Sequence, residues 1–314
     1  MNETIIVEVL IVGFEDLSAY RIPLFLLLLF IYVITCIENL LIICLVWKSP
    51  HLHSPMYFLI GNLLFCELIN TTDMEPSVLY NILSGRGFIS FIGCLIQMHV
   101  GIAILIFETL LLMLMSYDRC LAICYPLRYS VLMHNRLCLY FVISFWLIAL
   151  ITVVIQFYLV FVLKYCGPIS IDYFFCEYTM FFGGVTCILS DLYPLILFGL
   201  VQSALLNAPF ALIVLSYTII IVAILRIKSS DGRRKAFSTC SSHLMVVSLY
   251  FGIPFASYIW IDEMRIYPEI YDGLSFIYYF ILPLLNPIIY SLRNEEIHKA
   301  LKTSVSEMKA MLYD

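Results

Sequence analysis

The sequence predicts an all-α membrane protein: a seven-transmembrane helix bundle followed by a short amphipathic C-terminal helix. Three observations predict it. Of 314 residues, 63% are hydrophobic and only 12% are charged, about half the charged share of a soluble domain. Seven apolar stretches are each long enough to cross about 30 Å of hydrocarbon. The Lys and Arg residues between those stretches fall unevenly on the two sides.

In chain order the spans run over residues 22–47, 56–83, 91–115, 138–163, 192–224, 238–261 and 270–292. Hydrocarbon offers the backbone no hydrogen-bond partner, so each must be helical. The second is the most polar, yet still predominantly apolar. No internal repeat or long linker interrupts them, which predicts one domain over 1–314. It divides into an extracellular N-terminus at 1–21, a bundle at 22–292 and a cytoplasmic tail at 293–314. With the N-terminus outside, one side holds Arg21, Arg86, Lys164 and Arg265, whereas the other holds thirteen basic residues from Lys48 to Lys309. The richer side belongs in the cytoplasm. The first twenty residues are polar and acidic and show no cleavable signal peptide, so the first span would serve as its own insertion signal.

Two further features agree with that orientation. Asn2-Glu3-Thr4 is a glycosylation sequon, which functions only on the lumenal side. Cys94, Cys166, Cys176 and Cys187 all fall on the predicted outer face, where disulfides persist; four cysteines allow three pairings, and spacing does not choose among them. The seven other cysteines read as small apolar fillers. No CxxC pair or Cys/His cluster suggests a metal site. After the seventh span Ile297, Leu301, Val305, Met308 and Leu312 recur every three or four residues, with Glu296, Lys299, Lys302 and Lys309 elsewhere on the wheel. That pattern suits a helix lying along the inner leaflet.

Polar residues within spans are the candidates for function. Glu67 and Glu108 lie in the second and third spans, where a bare charge costs roughly 2.5 to 3.5 kcal/mol. Either they share a sodium ion, a proton or water, or each is protonated and bonded to a neighbouring hydroxyl. Asp118-Arg119 forms a charge pair where the third span meets the cytoplasm. Arg119 follows Glu108 by eleven residues, so both lie along one helix face. Pro76, Pro209, Pro254, Pro283 and Pro287 each remove a backbone hydrogen bond and allow a bend. The outer halves of the third, fifth, sixth and seventh spans are rich in Met, Leu, Ile, Phe and Tyr. Such a lining suits a small, mostly apolar molecule fixed by a few hydroxyls or by His99. No HExxH, GxSxG, P-loop or GxGxxG is present, so an enzyme is not expected.

Five local motifs resemble one family. Leu52-His-Ser-Pro-Met-Tyr-Phe58 opens the second span and Met115-Ser-Tyr-Asp-Arg-Cys-Leu-Ala-Ile-Cys124 closes the third. Ser216-Tyr217 sits low in the fifth, Lys235-Ala-Phe-Ser-Thr-Cys-Ser-Ser-His-Leu244 opens the sixth, and Pro283-Leu-Leu-Asn-Pro-Ile-Ile-Tyr-Ser-Leu-Arg-Asn294 closes the seventh. In this order the chain resembles an odorant (olfactory) receptor of the rhodopsin-like G-protein-coupled class. The resemblance implies an odorant-activated receptor in the plasma membrane, crossing it many times with the N-terminus extracellular. Its implied partners are a small-molecule odorant, a heterotrimeric G protein of the stimulatory type that raises cAMP, and membrane lipids, with no nucleic acid.

The resemblance also implies roles. Asp118 and Arg119 would be the activation switch; Tyr217 and Tyr290 would swing in to support a freed Arg119, and Asn286-Pro287 would supply the bend. Arg233, Arg234 and Lys235 would border the G-protein cavity. Cys94 would pair with Cys176, and Cys166 with Cys187. Positions carried into the ligand pocket are Met98, Gly101, Ile102, Leu105, Val201, Leu205, Phe251, Phe255, Tyr258, Phe276 and Tyr279. The chain departs from the family pattern at Glu67, where Asp is usual, at Cys120, which replaces a Tyr, at Glu38-Asn39 and at Tyr250-Phe251-Gly252; several of these resemble fish-type receptors. Two alternatives remain: a non-olfactory small-molecule receptor of the same class, and a transporter or channel. The latter would show repeats or a polar pore lining.

Overall fold

The computed structural model describes residues 8–11, 20–85, 87–161, 169–171, 173–176, 193–259, 268–292 and 295–313. Asn2, Cys166 and Cys187 lie outside the described residues, as do the side chains of Lys235 and Tyr258. The helices are α1 (Arg21–Lys48), α2 (Pro55–Ser84), α3 (Phe91–Cys124), α4 (Tyr129–Leu132), α5 (Asn135–Phe161), α6 (Tyr193–Arg226), α7 (Ser230–Ile259), α8 (Pro268–Phe276), α9 (Leu282–Leu292) and α10 (Glu295–Tyr313). The all-α expectation needs one addition, three short strands: β1 (Glu8–Ile11), β2 (Gly87–Ser90) and β3 (Ile169–Ile171).

Among the described residues, six helices are long and apolar enough to cross a membrane: α1, α3, α5, α6, α7 and the α8–α9 run. α2 has the length, at 30 residues. Its composition is the obstacle, because Glu67, Asp73 and Glu75 crowd one stretch of it. Burial separates the helices further. In α3, 78% of the apolar window is buried, against 28% in each of α1, α5 and α6. Polar groups on α3 therefore meet protein, whereas much of the surface of α1, α5 and α6 is left to hydrocarbon.

Two compact units make up the chain, and the first comprises residues 1–32, 69–107 and 144–207. Its three-stranded sheet has the order β2-β1-β3, with β1 antiparallel to β2 and parallel to β3. Glu8 faces Ser90 across one ladder, and Val9 faces Ile169 across the other. The central strand alternates as expected for a half-buried strand: Val9 and Ile11 are buried while Glu8 is exposed. β2 runs straight into α3, and five residues after β3 comes Cys176, which is disulfide-bonded to Cys94 in the first turn of α3 with Cα atoms 5.4 Å apart. The side chain of Gln97 continues this joint. It donates to the Asp73 carbonyl on α2 at 3.1 Å and accepts from the Cys176 amide at 3.1 Å. α2 stops at Gly85, whose φ of +79° is the left-handed cap that glycine adopts most readily.

The second unit comprises residues 33–68, 108–143 and 208–314. Its α8–α9 run is not uniform. Between α8 and α9 a π turn runs over Ile277–Ile281, with the Leu282 amide donating five residues back to the Ile277 carbonyl. Pro283 follows and has no amide hydrogen to donate, and its carbonyl accepts from Asn39 Nδ2 of α1 at 3.4 Å. At the other end of the unit a single 3-10 turn, Pro50–Leu52, leads into His53, whose carbonyl accepts from Asn135 Nδ2 at 3.0 Å. α10 packs against that turn. Ile297 and Ala300 are buried, Lys299 and Lys302 are exposed, and Lys299 bonds Glu296 at 2.8 Å.

The sheet yields a test. Val9→Asp places an unpaired carboxylate at a fully buried site and should destabilise the protein by at least about 2 kcal/mol. Glu8→Gln, on the exposed face of the same strand, should change stability by no more than about 0.5 kcal/mol. Thermal unfolding of the detergent-solubilised protein distinguishes them, and equal melting temperatures for the two variants would refute the burial of β1.

Candidate functional site

The polar groups of the second unit fall into three clusters. The first closes α3. Asp118 is fully buried, and its carboxylate is satisfied on both oxygens. Oδ2 accepts from Arg119 Nε at 3.0 Å and Nη2 at 2.6 Å, and Oδ1 accepts from the Tyr129 hydroxyl at 2.6 Å. Burial, and then the Asp118 carboxylate beside it, hold the Tyr129 phenol above its ordinary pKa, so it remains protonated and available to donate. Charge-assisted bonds of this kind contribute about 1.5 to 3 kcal/mol each. Arg119 is thereby held in a closed arrangement, with 13% of its side chain exposed.

The second cluster joins α6 to α7. The Tyr217 hydroxyl is hydrogen-bonded to His243 Nδ1 at 2.6 Å, and the two rings lie nearly parallel with centroids 5.9 Å apart. Both residues are buried. Tyr290 on α9 is buried too, and its hydroxyl has no hydrogen-bond partner among the described residues.

The third cluster surrounds the two glutamates. Asn286 Nδ2 donates to Glu67 Oε1, joining α2 to α9. Glu108 Oε1 is buried without a partner, and its carboxylate lies within hydrogen-bonding reach of Tyr250 on α7. Tyr250 in turn bonds Thr109 and Tyr278. Glu67 and Glu108 are close enough for each charge to act on the other, so together they favour a shared positive charge. The two carboxylates offer oxygen donors, which suit a hard cation or a proton. No group of three or more His, Cys, Asp or Glu side chains placed to hold a metal occurs among the described residues.

The residues expected to meet a ligand are divided. In the first unit Met98, His99 and Ile102 are buried, Gly101, Leu105 and Leu205 are half-buried, and Val201 is exposed. His99 bonds the Leu95 carbonyl through Nδ1 at 2.6 Å and lies edge-on to Phe157 of α5. Since a carbonyl can only accept, that nitrogen carries the proton. In the second unit Phe251 packs on Phe210, Phe276 stacks on Phe280, Tyr279 meets Tyr278, and Phe255 is exposed. Arg233 and Arg234 are exposed, and Arg233 Nη1 donates to the Ile227 carbonyl at 2.9 Å.

Sequence reasoning did not assign Tyr129, His243, Tyr278 or Gln97 a role, although each completes one of these joints. His243 carried a signal, as a member of the recognised Lys235–Leu244 motif at the point where the apolar run begins. Tyr129 carried none beyond its place in the loop after α3.

A family profile described as "Olfactory receptor" matches residues 28–308. The chain belongs to the olfactory receptor family. Similar proteins include human Olfactory receptor 10A7, 39% identical over 98% of this chain and 96% of the relative. Human Olfactory receptor 10P1 is 41% identical over 98% of each chain, and mouse Olfactory receptor 5G29 is 36% identical over 98% of this chain and 96% of the relative. Membership makes this olfactory receptor a sensory G-protein-coupled receptor in a membrane and not an enzyme.

The closed arrangement at the end of α3 is directly testable. Tyr129→Phe removes one of the two groups that hold Asp118, and a loss of about 1.4 kcal/mol moves a two-state equilibrium roughly tenfold. At matched surface expression this variant should therefore show raised signalling without ligand. Unchanged or lowered basal output would rule out a holding role for Tyr129.

Proposed function

We propose that this olfactory receptor binds a small-molecule odorant and activates a stimulatory G protein of the olfactory type, raising cAMP. The observation that carries the reading is the hold of Asp118 and Tyr129 on Arg119. An arginine paired with a buried carboxylate near a helix end is a two-state element. Release exchanges its carboxylate partner for the G-protein α-subunit, and an odorant drives the exchange only as far as its affinity for the two states differs.

In this reading the chain works as one seven-span receptor domain in the plasma membrane, with α2 as the second span and the N-terminus extracellular. The thirteen-to-four distribution of basic residues supports that orientation. Asn2 carries the glycan, and Cys166 pairs with Cys187. The odorant meets the α3 positions from Met98 to Leu105 together with Val201, Leu205, Phe251, Phe255, Tyr258, Phe276 and Tyr279. Glu67 and Glu108 share one sodium ion or one proton, in keeping with the proximity of the two carboxylates. Tyr217 and Tyr290 swing toward Arg119 as Asn286-Pro287 bends, and Arg233, Arg234 and Lys235 border the G protein. α10 lies along the inner leaflet on its Ile297 face.

The test is expression with a cAMP reporter and a panel of volatile and water-soluble odorants. At least one odorant should raise cAMP, and Arg119→Ala should abolish the rise at unchanged surface level. Ion flux independent of any G protein would overturn the reading, as would an Arg119→Ala response equal to that of the parent.

A further inference from the structure

The carboxylate of Glu75 has no role in anything described so far. It sits on α2 in the first unit, 1% exposed, and neither of its oxygens has a hydrogen-bond partner among the described residues. Buried polar groups are nearly always satisfied, and a bare carboxylate within a membrane span costs roughly 2.5 to 3.5 kcal/mol. A positively charged partner arriving from outside the chain would offset that cost.

The neighbouring face of α3 supplies room. Gln97 marks where the helices meet, since its Nε2 donates to the Asp73 carbonyl at 3.1 Å. Gly101 lies four residues on, so it shares that face of α3. A Cβ built on Gly101 would meet nothing within 4 Å. The flanking side chains of Met98 and Ile102 are apolar and buried. α2 and α3 run in opposite directions, so Glu75 and Gly101 lie on either side of the Asp73–Gln97 contact. Their separation along the helix axes is about 9 Å, at 1.5 Å of rise per residue. That is the reach of a small organic molecule with a charged head and a short hydrocarbon body.

Charge in the flanking segments points the same way. Segments 1–21, 84–90, 164–191 and 262–269 together hold ten acidic and four basic residues. If these segments face outward, as the proposed orientation requires, the entrance attracts cations and raises their local concentration.

We propose that Glu75 is a recognition site for organic amines: the protonated nitrogen of the ligand pairs with the Glu75 carboxylate, and its apolar body lies beside Gly101, Met98 and Ile102. This rests on the odorant-receptor reading and narrows it, from small apolar odorants in general to those carrying an ammonium group. The apolar lining alone selects for shape and size, whereas the carboxylate separates an amine from the alcohol of the same shape.

The experiment uses the full-length receptor and two matched probes, hexylamine and hexanol, with two readouts. Thermal stabilisation of the detergent-solubilised receptor reports binding without a G protein, and the cAMP reporter reports activation. Hexylamine should stabilise the receptor at lower concentration than hexanol does. Glu75→Gln, which keeps the shape and removes the charge, should raise the hexylamine requirement by about 30-fold or more, as removal of one partner from a buried charge pair does. The hexanol requirement should move by no more than about threefold, and Glu75→Asp should recover part of the amine preference. The site is refuted if hexylamine fails to stabilise the parent receptor, or if Glu75→Gln shifts both probes equally. Amine binding that depends on Glu75 but yields no cAMP would preserve the site and sink the signalling reading, while cAMP responses to neutral odorants alone would do the reverse.

Discussion

Helices made for hydrocarbon keep a polar side chain at least cost where another polar group meets it, and the joints made in this way organise the second unit. One fixes the pairing of α2 with α9 through Glu67 and Asn286. Others fix α3 against α4 through Asp118 and Tyr129, and α6 against α7 through Tyr217 and His243. Apolar contacts between such helices give little directional preference, because lipid tails are as apolar as leucine. The polar joints supply the register, and each joins groups that can separate and re-form. A fold held at these points is specific in its resting state and still able to change state.

α3 carries a disproportionate share of these joints. Cys94 ties its first turn to Cys176, Gln97 bonds both α2 and the same loop, Glu108 faces Tyr250, and Asp118 closes the far end. Its burial follows from that role, since a helix with partners on many sides has little surface left for lipid. The exposed faces of α1, α5 and α6 are rich in large apolar side chains and read as solvent-facing surface for a lipid solvent.

Hydropathy made the long helices legible, but not their ends. The third span was expected to stop at Met115, where the apolar run gives out, yet the helix continues to Cys124. Asp118 and Arg119 neutralise each other within it, so the charges do not force the chain out of helical form. The strands were illegible for a different reason. Glu8–Ile11 is four residues long, and its partners lie about eighty and one hundred and sixty residues away, so no local periodicity could reveal the pairing. The π turn at Ile277–Ile281 was equally hidden, although Pro283 was recognised as a point where the ladder must change. Of the switch, Asp118-Arg119 was legible as a motif, whereas Tyr129 and His243 depend on which helices approach. Glu75 shares its span with Glu67 yet was not singled out, because its burial and its unpartnered oxygens follow from how the helices pack and not from local sequence.

The central position of β1 has a consequence for how the receptor is made. Its residues leave the ribosome before either neighbour, with β2 translated some 80 residues later and Ile169–Ile171 some 160 residues later. At ordinary elongation speeds the nascent segment must wait roughly eight to thirty seconds for that neighbour. Until β3 arrives β1 has β2 alone to pair with, and its other edge stays open. Completion of the sheet thus marks the arrival of the segment that carries Cys176, and a chain stalled before that point would keep one edge of β1 open.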